Sequence, residues 1–537
     1  MPTRFSQPSD EAPSAEHWRL LTHHAARLRG WTPSDWLHYR TRPDAPNAVL
    51  QAGGLRLDHT RQKIDAAAWQ ALQALAAASP IARWRAAMFA GEPLNSTEGR
   101  AVKHWEWRGA IPGAAVAATV ARLTAWMARL QSGEFLLSGG DKPQAVIHLG
   151  IGGSYLGPLL VAEAIAYCPD RRTGLPVHFV ANVDAHELQS VLQTLDPHTT
   201  LVTIASKTFG TRETMRNAQS ILEWMAAHGV AAPLAHCVAL TAAADRALSW
   251  GVPASQIFTF DDSVGGRFSI WSPVGLPARI ALGELRWQEL LRGARAADAH
   301  FCDAALPDNL PVVLALLDVW NHSICGLPAR IVAPYDARLR WLVGYLQQLE
   351  MESLGKRLDL NGRVAVHAAC PMIWGEPGTN GQHAYFQWLH QADRPVAVEM
   401  LMVARSSHAF DEHQNILLAN VLAQADALAY GRRAERGPDG ADDYLAAWKD
   451  LPGGQPVSLW GMPVLDAYHL GFLLAVYEHK MVCLGALWNI NPFDQFGVEL
   501  GKVMASDVER LLTQGPASTT SADMAATLDW LDVCRSR

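Results

Sequence analysis

Between residues 144 and 262 five short apolar runs, at 144–150, 177–182, 199–206, 236–241 and 257–262, alternate with helix-like stretches of roughly 15–25 residues. Connections of that length cannot be hairpins. They are crossovers, so the runs are predicted to form parallel strands covered by helices on both faces. A largely helical stretch follows from about Gly275 to Cys325, and a second series then places strands at 329–335, 363–369 and 396–404. The expected fold class is therefore α/β, with two doubly wound parallel-sheet units in one chain. The two halves share too little sequence to establish a duplication.

The flanks read differently. Residues 1–16 are polar and proline-bearing, as in a disordered tail. Residues 17–130 read as a helical N-terminal segment, with alanine-rich amphipathic runs and few β-branched residues. The first α/β domain is expected over 131–285 and the second over 286–505, with a Gly- and Pro-rich surface insertion at about 431–456. A loop at 514–523 lies within the C-terminal helical arm expected over 506–537.

Composition excludes several functions. Of 537 residues 49% are hydrophobic and 18% charged, enough to bury large cores. Lys and Arg total 45 against 52 Asp and Glu, a net charge of −7 and not the basic footprint of a nucleic-acid binder. An anionic ligand must then be met by a few placed groups. No uninterrupted apolar run reaches the roughly 18–20 residues of a membrane span, and Gly471–Tyr477 is far too short. The N-terminus has no signal-peptide core. Seven cysteines with no CxxC pair argue against a zinc site or a disulfide framework and for a cytoplasmic setting. The His23–His24 pair lacks partner ligands. The twenty Trp are expected to fill cores and grooves.

Six segments carry chemistry. Gly150–Pro158 follows a strand but fits neither a dinucleotide fingerprint, because Tyr155 stands where glycine is needed, nor a nucleophile elbow, because of Leu156. It reads equally as an ordinary tight turn or as a loop that brings Gly153 and Ser154 to a polar ligand. Ser206, Lys207, Thr208 and Thr211 sit where a strand feeds a helix N-terminus, and three hydroxyls exceed the needs of one helix cap. A phosphate cradle is the favoured reading. Gly265-Gly266-Arg267 would bring a guanidinium to developing negative charge, with a surface arginine as the competing reading. Gln348 and Glu352 lie four apart on a predicted helix. Glu352 fits a general base, or a surface pair with Lys356. The constrained loop 374–384 delivers His383, which suits a proton shuttle. Gln495 and Lys502 are seven apart on a predicted helix that Asp494 caps, sharing one face.

In this order the segments resemble the glucose-6-phosphate isomerase family. The similarity rests on GIGGSYLGP at 150–158, SKTFGTRET at 206–214, GGRFSIWSPVGL at 265–276, the ExES-x-GK pattern around Glu352, WGEPGTNGQHA at 374–384 and FDQFGVELGK at 493–502. Asn95–Val102 and Tyr477-Glu-His-Lys480 add support. The resemblance implies two sugar-isomerase (SIS) type domains in a homodimer that interconverts glucose 6-phosphate and fructose 6-phosphate with no cofactor and no metal. It implies that Ser206, Lys207, Thr208 and Thr211 hold phosphate with Gly153 and Ser154 alongside. His383 with Lys502 would open the sugar ring, Glu352 would carry a proton between C2 and C1, and Arg267 would stabilise the cis-enediol(ate). Gln348 and Gln495 would orient hydroxyls, and His383 would serve the neighbouring subunit's site. No nucleic acid or membrane partner is implied.

Tyr155, Gly210, Leu354, Phe496 and the Trp105-Glu-Trp107 stretch depart from the family pattern, and none removes a proton carrier. Leu354, two residues from the expected base, is the departure with most scope to alter it. A broader isomerase that also accepts mannose 6-phosphate is the alternative within enzymes. A sugar-phosphate sensor would have no need of Glu352, His383, Arg267 and Lys502 together.

Overall fold

The computed structural model describes residues 13–43, 45, 47–166, 174–434, 443–515 and 520–536. The chain divides after Pro492 into two compact units. Of the expected tail, 1–12 lies outside the described residues, as do 435–442 of the expected insertion and 516–519 of the expected C-terminal loop. Ala15 and Glu16, assigned to the tail, already belong to the helix Ala15–Leu28.

The stretch expected to be helical contains a hairpin, β1 (Val49–Ala52) and β2 (Leu55–Arg61). Its turn is Gly53-Gly54, both at positive φ (57° and 83°), the backbone that a two-residue hairpin turn demands. The flanking runs are too short and too mixed in polarity for periodicity alone to separate strand from helix.

The first α/β sheet comprises β3 (Ala145–Leu149), β4 (Val177–Val180), β5 (Thr200–Ala205), β6 (Cys237–Thr241) and β7 (Ile257–Thr259), ordered β4-β3-β5-β6-β7. All its pairings are parallel. Every residue of β3, β5 and β6 is buried, as strands covered on both faces require. Ile147, Leu149, Val202 and Ile204 pack with Ile221 and Met225 of the helix Arg212–Ala227.

The second sheet comprises β8 (Ala329–Tyr335), β9 (Met372–Trp374), β10 (Ala397–Arg405) and β11 (Val457–Val464) together with the hairpin, in the order β1-β2-β11-β10-β8-β9. The four strands from its own half are parallel, and β2 closes the far side of β11 antiparallel. Numbered from its own first strand, this half repeats the 2-1-3-4 order of the first sheet.

Two expectations need correction here. Residues 363–369 form no strand: Val364 makes one isolated bridge to Leu358, and Val364 and Val366 are 63% and 83% exposed, so no core covers them. The strand is β9 instead. β11 went unread because Gly461 and Pro463 interrupt its apolar run.

Ala467–Trp488 is a 22-residue helix long and apolar enough to cross a membrane, a feature that the search for uninterrupted apolar runs missed because Glu478, His479 and Lys480 break the run. The apolar window is wholly buried inside the fold. It packs on the helix Glu284–Asp303 where Gly293 and Gly471 leave room for close approach. A Cβ on Gly293 would stand 1.9 Å from the Tyr468 carbonyl oxygen, and one on Gly471 would stand 2.0 Å from that of Leu290.

The second unit carries the helices Glu499–Gln514 and Ala522–Arg535. Ser521 caps the latter through the Met524 N–H.

Candidate active site

In a doubly wound sheet, ligands bind beyond the carboxyl ends of the strands, where the strand order reverses. In the first sheet that point lies between β3 and β5, whose following loops are 150–154 and 206–211. Buried His148 near the end of β3 ties the first of these loops to strand β5. Its Nδ1 lies 2.8 Å from Thr203 Oγ1 on β5, and its Nε2 donates to the Ser154 carbonyl at 2.7 Å. Burial pushes the imidazole down to about 4, so it stays neutral in this role. Gly153 is needed for close approach, since a Cβ there would stand 2.0 Å from the Gly266 carbonyl oxygen. Loop 150–154 thus lies directly against Gly265–Arg267.

The 206–211 loop is built around two side chains. The Phe209 ring is buried in the first core, which holds the residue at φ 45°, a rare conformation for a residue with a Cβ. Ser206 Oγ then accepts the Gly210 and Thr211 N–H groups at 3.3 and 3.4 Å and lies 3.0 Å from Thr211 Oγ1. Thr211 stands at the N-cap of the helix Arg212–Ala227, and its side chain makes no cap bond. Thr208 is exposed, and its carbonyl accepts from Arg246 Nη1 at 3.1 Å. Lys207 Nζ is engaged with the carbonyl oxygens of Asp262 and Val264 at 3.1 and 3.2 Å, which ties this loop to the turn before Gly265. Hydroxyls, a helix N-terminus and two cations are together the chemistry of an anion cradle.

Arg267 reaches across to the other half. It is 3% exposed, donates from Nε to Ser353 Oγ at 2.7 Å and from Nη2 to the Pro492 carbonyl at 2.6 Å, and places Nη1 3.5 Å from Glu352 Oε1. Glu352 Oε2 is buried and has no hydrogen-bond partner among the described residues. The turn Gln347–Glu352 is π-helical, not the expected α-helix. Such widened turns recur at functional sites. Gln348 hangs over Gly152, its Nε2 2.9 Å from where a Cβ on that glycine would be. An open cleft of about 640 Å³ adjoins it, lined by Met351, Met372 and Trp374 among others. Leu354 is buried, 1% exposed.

Two buried ionic clusters hold these pieces, and both draw on the stretch Tyr477–Lys480. In the first, Glu350, on the same turn as Glu352, accepts from Lys480 Nζ at 3.0 Å and pairs with Arg330. Arg330 also donates to both oxygens of Asp318, at 2.9 and 2.8 Å. The two cations outweigh burial at Asp318 and hold its carboxyl well below the usual range. In the second, Glu478 accepts from Trp271 Nε1 at 2.7 Å and pairs with Arg108, which also binds Asp298. Burial pushes the Glu478 carboxyl up to about 7 despite Arg108. His104 stacks on Phe268, ring centroids 4.9 Å apart. Arg267, Phe268 and Trp271 of one motif are therefore each gripped separately.

The remaining expected residues are placed elsewhere. The 374–384 loop ends on the turn Asn380–His383, where His383 is exposed and makes no hydrogen bond or ion pair among the described residues. Among the described residues it makes no hydrogen bond or ion pair with Glu352. Gln495 and Lys502 belong to the second unit. The helix there starts at Glu499, not after Asp494, so Gln495 precedes it and shares no helical face with Lys502. Reading the sequence missed His148, Arg246 and the Glu350–Lys480 pair. For Arg246 a signal existed: its helix follows β6, so it sits at the same end of the sheet as the cradle. Among the described residues no group of three His, Cys, Asp or Glu is placed to hold a metal ion.

Residues 58–527 match the family described as phosphoglucose isomerase. The chain is 41% identical over 532 residues to glucose-6-phosphate isomerase 2 of Cupriavidus pinatubonensis, covering 96% of this chain and 97% of that protein. It is 44% identical over 494 residues to glucose-6-phosphate isomerase of Methylibium petroleiphilum, covering 87% and 89%. The crystal structure of a glucose-6-phosphate isomerase from Chlamydia trachomatis superposes with a TM-score of 0.82 at 28% identity, over 97% of this chain and 99% of that one. Near-complete coverage in sequence and in fold leaves one assignment: the chain belongs to the phosphoglucose isomerase family.

Proposed function

We infer that this enzyme is an aldose–ketose isomerase that interconverts glucose 6-phosphate and fructose 6-phosphate, the step shared by glycolysis and gluconeogenesis. The observation that carries the mechanism is the Glu352 carboxylate, with one oxygen beside Arg267 and the other buried without a partner. A base so placed has a lone pair free for a carbon-bound proton, and a fixed cation is at hand for the oxyanion that forms.

Ser206, Thr208 and Thr211 hold the phosphate at the helix N-terminus, with Lys207 adding charge at the rim and Gly153 and Ser154 closing the loop beside it. His383, with Lys502, moves a proton between the ring oxygen and the C1 hydroxyl, which opens the ring. Glu352 then takes the C2 proton of the open-chain aldose, and the electron pair forms the C1–C2 double bond of a cis-enediol(ate). Arg267 stabilises the negative oxygen. A proton passes from the C2 hydroxyl to O1, return of the Glu352 proton to C1 gives the ketose, and Gln348 and Gln495 orient the hydroxyls meanwhile. The working form is a cytoplasmic homodimer in which His383 enters the partner's site, a reading supported by its exposure and by the absence of a hydrogen bond or ion pair to it among the described residues.

The test is to supply fructose 6-phosphate in D2O with excess EDTA. Glucose 6-phosphate should form at the undiminished rate with deuterium at C2, from exchange at the carboxyl proton. A product with no solvent deuterium even after prolonged equilibration points to hydride transfer, and loss of activity restored by a divalent metal points to a metal-dependent site. Either result overturns the proton-transfer reading.

A further inference from the structure

We propose that the chain carries a second ligand site, for a small anion borne on a flat aromatic body, in a cavity of about 270 Å³ that shares no lining residue with the loops around Glu352. It lies where Arg29 and the Trp31–Trp36 segment, just after the helix Ala15–Leu28, meet Lys63 beyond β2 and the turn at Trp320. Its volume is just under the roughly 300–1,000 Å³ of ordinary ligand clefts.

The walls are aromatic and fixed. Trp36 and Trp320 are 4% and 1% exposed, and the Trp31 and Trp36 rings lie 4.6 Å apart at a tilt of 50°. Indole faces favour a flat, polarisable ligand.

The lining sets two cations, Arg29 and Lys63, and the Trp36 indole beside only two other polar side chains, Asn321 and Cys325. Trp36 Nε1–H is buried and has no hydrogen-bond partner among the described residues. Among the described residues neither Lys63 nor Arg29 has an ion pair or a side-chain hydrogen bond, and no carboxylate lines the cavity. In a chain of net charge −7 this is a local reversal of sign. Burial lowers the Lys63 ammonium to about 8, so it remains mostly charged at neutral pH while lacking a counter-ion. An anion in the cavity would supply the acceptor that this lining lacks, and buried donors left unmade are costly. A sugar phosphate supplies the charge without the ring. The ligand class is therefore an aromatic sulfonate, carboxylate or phosphate.

Calorimetry on the full-length protein tests this with naphthalene-1-sulfonate as probe. The expected result is one equivalent bound per chain, undisturbed by saturating fructose 6-phosphate. Naphthalene-1-methanol, which keeps the rings without the charge, should bind at least tenfold more weakly, and inorganic phosphate should not compete. Lys63→Met should weaken binding at least tenfold and Lys63→Arg less than threefold, both with unchanged isomerase activity. If Lys63→Met loses activity through misfolding, Arg29→Ala replaces it and should weaken binding at least threefold. Absence of saturable binding, displacement by fructose 6-phosphate, or indifference to these charge-removing substitutions overturns the proposal.

Discussion

Arg267 Nη1 stands 3.5 Å from Glu352 Oε1, and the other Glu352 oxygen is buried with no hydrogen-bond partner. The ion pair orients the carboxylate without consuming both of its oxygens. Glu352→Gln keeps the shape and the Arg267 contact but removes the base. Turnover should fall by roughly 10²–10⁴, the span of general-base catalysis, with KM changed only a few-fold. Turnover within a few-fold of wild type would place the base elsewhere.

Ser206 Oγ organises the cradle by accepting two loop N–H groups, and Thr211 Oγ1 lies beside it. Thr211→Ala should raise KM for fructose 6-phosphate and the inhibition constant of inorganic phosphate together. The rise should be about 10- to 150-fold, the worth of a hydrogen bond to a charged group. A KM that rises while phosphate inhibition stays constant would mean that Thr211 contacts the sugar and not the phosphate.

His148 is held near pKa 4 by burial, against 6.5 when unperturbed. As pH falls from 6.5 towards 4, the unfolded chain binds a proton that the folded chain refuses, so this residue's contribution to stability is lost on acidification. The loss amounts to about 3 kcal/mol by pH 4. His148→Gln has no such titration. The stability gap between wild type and variant, read from urea unfolding, should therefore shrink by about that amount between neutral pH and pH 4. A gap independent of pH would show that the imidazole is not kept neutral.

If His383 serves the partner's site, two inactive variants should rescue each other. Glu352→Gln and His383→Ala, unfolded and refolded together in equal amounts, give about half mixed dimers. Each mixed dimer has one site with both lesions and one intact site, so activity should recover to roughly a quarter of wild type. Mixed dimers confirmed by mass but without activity would assign His383 to its own chain.

The site was legible where chemistry is local in sequence. Ser206 and Thr211, or Gly265 and Arg267, announce themselves because one loop must carry several unusual residues at once. The supports were not legible. Nothing near Glu350 says that it will meet Lys480, 130 residues on, and His148 reads as one more residue in an apolar strand until Thr203 and Ser154 close on it. The βα rhythm gave β3 to β8 and β10 because buried parallel strands are apolar throughout. It failed at 363–369, where apolar alternation has no core to face, and at the N-terminal hairpin, whose partner strand lies in the other half of the chain.

That partner strand imposes an order on biosynthesis. Gln62, just past β2, bonds to Ser458 of β11 across 396 residues. At about 5–20 residues per second, β2 waits on the order of 20–80 s for its neighbour to emerge from the ribosome. Through that interval both edges of the hairpin are unpaired, the kind of surface that recruits other chains. The second sheet therefore cannot be completed until nearly all of the chain has been made, and an N-terminal fragment released early would be a candidate for aggregation or chaperone capture.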